Sequence, residues 1–457
     1  MKKARKGRKS SRLFKKAYSQ TAGRILKRYA WWQFGFFTIG SLSFISLLVI
    51  LLLPIGKGPT EFEYVGSPPP ASHPRFANVL SESLGVPVRE GAPIDILNNG
   101  DAFLSAMLAD IKAARSSINM MVFIWTEGQM SEPIVDELAE KSRNGVQVRI
   151  LIDSFGSFSF TRGKHFKKLE EAGGKVVEFH SPTLAPWDFL KNHVRNHRRA
   201  FVIDGNIGYV GGMAIDDHWL GDARNDKEYR DVMFRTTGAM ARDIQGHFSE
   251  LWTSMTGEIL TGEVFFPRAA QDKGQLTYIS IASTPSPNNL ALQKFILLSL
   301  LGAERNIYMV TPYFLPDASL KEVLIRKARE GVDVRVLVPN ELNDNKSVHY
   351  ASRDSYDELL TGGVKLYEYQ ASFIHSKMAA VDGIWSIIGS ANLDNRSRRI
   401  NEENAFGISN RQFATALESI FLKDLANAKE ITLSDWRRRG IWTRVREKLD
   451  RNFGEQY

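Results

Sequence analysis

The feature that most constrains the fold is a long-range internal repeat that begins near residue 95. The pattern Gly-Val-x-Val-Arg-x-Leu occurs twice, at residues 145–151 and 331–337. In each copy a helical pattern, an apolar strand and an amphipathic helical pattern precede it. Strands that alternate with helices indicate an α/β fold with mixed, largely parallel sheets. The duplication therefore predicts two similar halves with pseudo-two-fold symmetry and a ligand site at the seam between them.

The predicted elements of the two copies correspond one to one. In the first copy they are a helix from residue 101, a strand at 118–125, a helix from 131 and a strand at 146–153. In the second copy they are a helix at 292–301, a strand at 307–310, a helix at 319–330 and a strand at 332–338. This order predicts that equivalent strands occupy equivalent places in two sheets.

A second repeated pattern carries the candidate chemistry. The second copy contains His375, Lys377 and Asp382, then Gly389, Ser390 and Asn392; the first contains His197, Arg199 and Asp204, then Gly211, Gly212 and Ala214 at the same spacing. Residues two apart in a strand share a face, so we expect each imidazole to lie beside a fixed positive charge. Such a pair suits a phosphodiester, because the cation holds the anionic oxygens while the imidazole attacks phosphorus or donates a proton. Two copies that meet at a dyad would place two histidines and two cations in one pocket.

These motifs resemble the signature of the phospholipase D superfamily, His-x-Lys-x4-Asp-x6-Gly-Ser-x-Asn. The second motif matches in full, whereas the first departs at Arg199, Gly212 and Ala214. Arg199 keeps the positive charge, and the other two departures remove polar contacts on that side. The resemblance covers roughly residues 95–457, and within the superfamily the chain is most similar to bacterial cardiolipin synthases. Further similar segments are 311–317, 392–397, 401–403, 229–231 and 436–439, with Phe248 and Trp252.

The resemblance implies a duplicated phospholipase D-like α/β fold and a reaction without metal or other cofactor. It implies that His197 is the nucleophile, which forms a phosphohistidine, and that His375 is the general acid. It also implies that Lys377 and Arg199 hold the substrate phosphate.

The resemblance assigns supporting roles to six further residues: Asp204, Asp382, Ser390, Asn392, Asp231 and Glu403. The first two are expected to stabilise the folded site rather than transfer protons. Glu403 follows His375 by 28 residues, and we expect its carboxylate against that imidazole. Asp231 is expected to serve His197 in the same way. Such a carboxylate would fix the tautomer and favour the imidazolium.

The other histidines and the absence of cysteine narrow the chemistry further. Six histidines show no metal-ligand spacing, and we interpret them as surface or core residues: His165, His180, His193, His218, His247 and His349. Without cysteine the chain has no disulfide, thiolate metal site or thiol nucleophile. Neither a glycine-rich phosphate loop nor a zinc pattern occurs.

The net charge of the chain comes from its N-terminus. The formal charge is +9, yet residues 1–30 hold twelve basic side chains and no acidic one, so the remaining 427 residues sum to −3. Residues 31–53 carry no charge and as a helix would rise roughly 34 Å, enough to span a hydrocarbon core. The sequence therefore predicts an uncleaved signal anchor. By the positive-inside rule, the N-terminus would be cytosolic and the body extracytoplasmic at the bacterial inner membrane.

We predict five segments along the chain: a basic cytosolic tail at 1–30, a transmembrane anchor at 31–54, a linker at 55–90, and two phospholipase D-like halves at 91–265 and 266–457. The linker contains Gly66-Ser67-Pro68-Pro69-Pro70, and we expect little packing there.

Four functions fit the motifs to different degrees. The resemblance favours a phosphatidyltransferase that makes cardiolipin and glycerol from two phosphatidylglycerol molecules in the bilayer. A phospholipase D-type hydrolase would use water as acceptor instead. A nuclease needs a basic groove, which the −3 charge of the body argues against, so no nucleic-acid partner is expected. A membrane scaffold without catalysis would fit the incomplete first motif but not the retention of both histidines.

Overall fold

The computed structural model describes residues 62–157, 162–180, 193–268, 275–286 and 289–440, together with Thr38, Gly40 and Ser41. The predicted tail at 1–30 lies outside the described residues, and so does the predicted anchor at 31–54 apart from those three helical positions. No helix in the described part of the chain has the length and apolar character needed to cross a bilayer.

The described elements alternate along the chain as the repeat predicts. Those up to residue 256 are α1 (Phe76–Leu84), β1 (Val88–Gly91), β2 (Asp95–Asn98), α2 (Asn99–Ala113), β3 (Ser117–Val122), α3 (Ser131–Arg143), β4 (Gln147–Asp153), α4 (Arg162–Glu171), β5 (Lys175–Phe179), β6 (Ala200–Ile203), β7 (Ile207–Gly211), a 3₁₀ turn (Asp217–Trp219), β8 (Val232–Thr237) and α5 (Ala239–Thr256). Those that follow are β9 (Leu276–Ser283), α6 (Ala291–Leu301), β10 (Asn306–Val310), α7 (Ala318–Arg329), β11 (Asp333–Pro339), α8 (Lys346–Arg353), α9 (Tyr356–Thr361), β12 (Lys365–Tyr369), β13 (Met378–Val381), β14 (Trp385–Gly389), α10 (Asn395–Arg399), β15 (Glu403–Ser409), α11 (Arg411–Leu425), β16 (Ala428–Ile431) and α12 (Leu433–Arg437).

Two mixed sheets repeat one strand order. The first sheet runs β2-β8-β7-β6-β3-β4-β5, and the second runs β9-β15-β14-β13-β10-β11-β12 with β1 and β16 added at its edges. In each sheet three strands are parallel, β3-β4-β5 and β10-β11-β12. The remaining neighbours are antiparallel. The predicted duplicated α/β fold with mixed sheets is confirmed. The expectation that the sheets are largely parallel is wrong, because four of the six described strand pairs in the first sheet and six of the eight in the second are antiparallel.

The core explains why the motif strands are apolar on both faces. In β13, Met378 and Ala380 belong to an apolar cluster that joins both sheets with α5 and α11. Ala379 and Val381 belong to the cluster on the opposite face of the same sheet. Successive side chains of a strand point to opposite faces, so a strand covered on both sides reads as a continuous apolar run. This burial fixes the strands that follow the motif histidines.

The expectation of little packing in residues 55–90 is wrong for the segment that contains α1. Ala71, Phe76 and Leu80 are buried in the outer cluster of the second half. The Phe76 ring packs edge-on against Trp385 with 5.1 Å between ring centroids, and β1 pairs with β9. The proline-rich run predicts an extended linker, but the apolar residues that follow it are spaced so that one face of a short helix packs on the core.

Replacement of Phe76 tests the role of α1 in the fold. We expect Phe76→Ala to lower the free energy of unfolding by about 3–5 kcal/mol, because it leaves a cavity beside Trp385. Asn78→Ala, at an exposed position of the same helix, is the matched control and should change stability by less than about 0.5 kcal/mol. Denaturant titration measures both, and equal effects would show that α1 does not contribute to the core.

Candidate active site

The motif histidines, which were predicted to lie within strands, lie just before those strands begin. β6 begins at Ala200 and β13 at Met378, so His197 and His375 precede the sheet ladders. The prediction that each histidine and its cation share the face of a strand is therefore wrong in detail. The reason is that these residues take backbone partners from the other half of the molecule instead of from their own sheet.

Backbone hydrogen bonds join each motif segment to the opposite half. The His197 amide donates to Glu402 O at 3.0 Å, and the Glu402 amide donates to Arg195 O at 2.8 Å. The second copy repeats this arrangement, because the His375 amide donates to Arg230 O at 2.7 Å and the Arg230 amide to Phe373 O at 2.9 Å. Each histidine is thereby placed next to the residue that starts β15 or precedes β8.

The carboxylates pair with the histidines across the halves. Nδ1 of His197 lies 2.7 Å from Oε1 of Glu403, and Nδ1 of His375 lies 2.8 Å from Oδ2 of Asp231. All four side chains are buried. The predicted pairing of Glu403 with His375 and of Asp231 with His197 is wrong, since the cross-half backbone bonds bring each carboxylate to the histidine of the other half.

The two motif cations lie beside the histidines and are themselves buried. Lys377 Nζ lies 3.0 Å from His375 Nε2 and donates to His375 O at 3.1 Å. Arg199 Nη1 donates to His197 O at 2.5 Å, and its guanidinium lies 5.9 Å from the centre of the Phe123 ring. The substitution of arginine for lysine thus keeps a positive charge beside the first histidine.

The departure at Gly212 has a steric explanation. In the second half, the Ser390 hydroxyl donates to Glu403. In the first half the shorter Asp231 occupies that space, because a Cβ at Gly212 would lie 2.5 Å and 2.6 Å from its two carboxylate oxygens. Trp219 Nε1 supplies the missing hydrogen bond to Asp231 at 2.9 Å. A serine would not fit here, and the polar contact is replaced rather than lost.

The motif aspartates tie down the turns after β6 and β13. Asp204 accepts hydrogen bonds from the amides of Arg115, Ser116 and Ser117, and Asp382 accepts from those of residues 304–306. Both adopt positive φ, 51° and 55°. Burial raises the pKa of Asp204, but the amide hydrogen bonds outweigh it and hold the pKa below its usual value. Their hydrogen-bond partners make these carboxylates structural anchors of the motif strands.

Burial and neighbouring charge keep both motif imidazoles neutral in the free site. Burial lowers the pKa of His197 well below its usual value, and nearby cations, led by Arg199, lower it further. Burial lowers the pKa of His375 to about 3, Lys377 acts in the same direction, and Asp231 opposes them. An anionic ligand would offset the cations and favour protonation of an imidazole.

The two carboxylates differ in their tendency to ionise. Burial raises the pKa of Glu403 to about 7, against the hydrogen bond from Ser390. For Asp231, burial also raises the pKa, but the hydrogen bond and charge of His375 outweigh it, so the pKa lies below its usual value. His375 therefore faces the more strongly ionised partner.

A cavity of about 360 Å³ opens at His197. It is lined by Phe123, Phe155, His193, Arg195, His197, Tyr313, Asn345, Val348, Asn392, Asp394, Arg396 and Asn401. Among the predicted site residues, His197 and Asn392 line it, whereas Ser390 supports Glu403. His193 was interpreted as a surface or core residue, yet it lines this cavity. Arg195, Tyr313 and Arg396 were also missed as site residues. Arg195 lies two positions before His197, and Tyr313 and Arg396 lie in the family-like segments 311–317 and 392–397.

The arrangement is suited to covalent phosphoryl transfer. Two buried imidazoles are oriented by carboxylates, two cations lie beside them, and a cavity admits a ligand at one imidazole. In the described part of the chain no group of three or more His, Asp or Glu side chains could hold a metal ion. The fold and site define a two-histidine phosphoryl-transfer protein of duplicated α/β architecture.

Comparisons with known proteins narrow this class to a family. The family described as "Cardiolipin synthase, PLD-like domain" matches residues 107–252 and 296–425. The cardiolipin synthase of Geobacillus kaustophilus (strain HTA426) is 34% identical over 388 residues, 84% of this chain and 76% of that protein. The major cardiolipin synthase of Bacillus subtilis (strain 168) is 34% identical over 367 residues, 79% of this chain and 75% of the relative. The chain belongs to the phospholipase D-like cardiolipin synthase family.

A solved structure shares the fold. The phosphatidylserine synthase of Haemophilus influenzae Rd KW20 superposes with a TM-score of 0.64 at 14% sequence identity, covering 83% of this chain and 100% of the other. The likeness extends across both halves, in agreement with the repeated strand order.

Substitution of Gly212 tests the steric account of the first motif. We expect Gly212→Ser to displace Asp231 from His375. Because His375 would then lose the carboxylate that supports it as a general acid, the turnover of an unactivated phosphodiester should fall by about 100-fold, the lower end of the range for loss of acid catalysis. Gly246→Ser is the matched control, because a Cβ there meets no atom within 4 Å. Steady-state kinetics on the two folded variants provide the measurement. Equal activity would mean that Asp231 does not support His375.

Proposed function

We propose that the protein is a membrane-anchored phosphatidyltransferase that makes cardiolipin from two phosphatidylglycerol molecules and releases glycerol. The observation that carries this proposal is the crossed pair of buried histidine–carboxylate contacts at the seam of the two halves. Membership of the cardiolipin synthase family, with relatives that match most of the chain, supports the choice of reaction.

In the first step, His197 acts as the nucleophile. Its Nδ1 is engaged by Glu403, which leaves Nε2 as the ring nitrogen that attacks phosphorus. The N–P bond forms as the bond from phosphorus to the glycerol headgroup oxygen breaks, and His375 protonates that oxygen. Lys377 and Arg199 hold the anionic oxygens of the phosphate. The products of this step are a phosphatidyl-histidine and free glycerol.

In the second step, a headgroup hydroxyl of another phosphatidylglycerol attacks the same phosphorus. His375, now neutral, accepts the proton of that hydroxyl as the new P–O bond forms. The bond from phosphorus to His197 breaks, and cardiolipin leaves. Water in place of the lipid hydroxyl would give phosphatidic acid, the product of the alternative hydrolase.

The division of roles between the histidines follows from their surroundings. His197 lines the cavity, and its low pKa keeps the imidazole unprotonated for attack. His375 contacts the more strongly ionised carboxylate, that of Asp231, which stabilises an imidazolium once the substrate charge offsets Lys377. Ser390 orients Glu403, and Asn392 contacts the substrate in the cavity.

The anchor at 31–54 would hold the two halves, 91–265 and 266–457, at the surface of the bacterial inner membrane. Confinement to the surface that contains both substrates raises their effective concentration at the site. The tail at 1–30 would stay in the cytosol, and the body would lie on the outer side. A reporter that is active only in the cytosol, fused at the C-terminus, would reveal the opposite orientation by a signal.

The lipid products of a vesicle assay test the proposed function. We expect the full-length protein in phosphatidylglycerol vesicles to produce cardiolipin and glycerol in equal amounts, because one glycerol leaves for each transfer. His197→Ala should abolish the reaction, since it removes the nucleophile. Lipid analysis by mass spectrometry provides the measurement. Phosphatidic acid without cardiolipin would favour the hydrolase, and absence of turnover in the wild-type protein would contradict both enzymes.

A substrate with a good leaving group tests the crossed pairs. Release of p-nitrophenol from a phosphatidyl p-nitrophenyl ester does not require a general acid, so we expect Asp231→Asn to retain a rapid burst. Glu403→Gln should slow that burst, because Glu403 orients the nucleophile. On phosphatidylglycerol both variants should lose about 100-fold or more in rate. A burst that is slowed by Asp231→Asn and spared by Glu403→Gln would indicate the within-half pairing instead.

A further inference from the structure

The two ends of the active site differ chemically, although the fold relates them by pseudo-symmetry. β7 and β14 end at Gly211 and Gly389, and each is followed five residues later by an aspartate, Asp216 or Asp394, that caps a short helical segment. By the same spacing, position 195 of the first half corresponds to position 373 of the second, and position 218 of the first half corresponds to position 396 of the second. The chemical character of the two ends can therefore be compared position by position.

The end of the site at His375 is closed by aromatic side chains. The rings of Trp219, Tyr229 and Phe373 lie 5.0, 6.4 and 5.7 Å from the His375 ring, centroid to centroid. His218, the counterpart of Arg396, bonds Asp216 at 2.6 Å and stacks on Tyr229. These positions therefore give this end of the site aromatic rings and an imidazole but no guanidinium.

The end at His197 carries two guanidiniums that line its cavity, those of Arg195 and Arg396. Arg195 lies on the first-half motif segment, 3.7 Å from Asp153 Oδ1 and 5.2 Å from the centre of the exposed Phe155 ring. Arg396 lies in α10 of the second half, and its Nη2 donates to His193 O at 2.8 Å. Both halves thus contribute a cation to the same cavity.

The charge of this cavity favours an anion. Its lining contains the two guanidiniums and one carboxylate, that of Asp394, which caps α10 by accepting from the Ser397 amide. Burial lowers the pKa of His193, and the charges of Arg396 and Arg195 lower it further. The motif cations Arg199 and Lys377 are not among the residues that line this cavity. A second anion could therefore bind here while the first is held by the motif cations.

We propose that Arg396, with Arg195, binds the phosphate of the acceptor lipid and so selects a phosphatidyl alcohol over water or a neutral alcohol. This inference rests on the proposed function, because it assigns a place to the second of two anionic substrates. The phosphate of the acceptor lies several bonds from its attacking hydroxyl. The cations that bind this phosphate must therefore lie at a distance from the phosphorus on His197, as Arg195 and Arg396 do in the cavity wall. Bidentate contact with a guanidinium also fixes the orientation of the headgroup.

The test compares two acceptors that share one donor step. Vesicles of phosphatidylglycerol with labelled glycerol report transfer to an anionic acceptor as cardiolipin and transfer to a neutral acceptor as labelled phosphatidylglycerol. We expect Arg396→Gln to lower the ratio of cardiolipin to glycerol exchange about tenfold or more, because the charged hydrogen bond from the guanidinium to the acceptor phosphate is lost. Arg396→Lys should restore part of the ratio. Arg195 is not replaced, since its loss would leave buried Asp153 without its cation.

Arg438→Gln, which removes an exposed guanidinium directly after α12, is the matched control and should leave the ratio unchanged. Added inorganic phosphate should lower the ratio in the wild-type protein and less so in Arg396→Gln, which separates recognition of the phosphate from recognition of the lipid tails. A ratio that stays within twofold in Arg396→Gln, while the wild-type protein makes cardiolipin, would overturn this inference alone. A wild-type protein that exchanges glycerol without making cardiolipin would overturn the proposed function as well.

Discussion

The backbone hydrogen bonds between each motif segment and the opposite half are the constraint on which the active site depends. They set Asn196 beside Glu402 and Ile374 beside Arg230, and each contact brings a carboxylate to a histidine one residue further on. Each motif histidine takes its carboxylate from the opposite half. Assembly of the site is thus tied to docking of the halves, and a shift of either bridge would leave a buried carboxylate without its partner.

Buried charge makes this docking specific. Arg198 has no exposed surface and bonds Glu402 at 2.7 Å, next to the pair formed by His197 and Glu403. Loss of one partner of a buried ion pair is costly, so a placement of the halves that separated Arg198 from Glu402 would be unfavourable. The apolar cluster that joins both sheets supplies the non-directional part of the same interface.

The fold was predictable because its signals are local and repeated. The predicted helix at 292–301 is found at Ala291–Leu301, and the predicted strand at 332–338 is found at Asp333–Pro339. Periodicity of apolar residues determines such elements, whatever their partners. The helix at Phe76–Leu84 was missed because the proline-rich run before it dominated the interpretation of that segment. β13 begins later than predicted, at Met378, because the residues before it form hydrogen bonds with the other half.

The sequence by itself determined the duplication, the two histidines, their cations and the turn aspartates, since spacing along a strand needs no knowledge of distant contacts. Only the tertiary structure decided which carboxylate serves which histidine, why Gly212 stands in place of serine, and that Arg195 and Arg396 line one cavity. These are contacts between residues up to 206 positions apart, as for His197 and Glu403. Their partners are set by the docking of two halves, and a single sequence contains no periodic signal for that geometry.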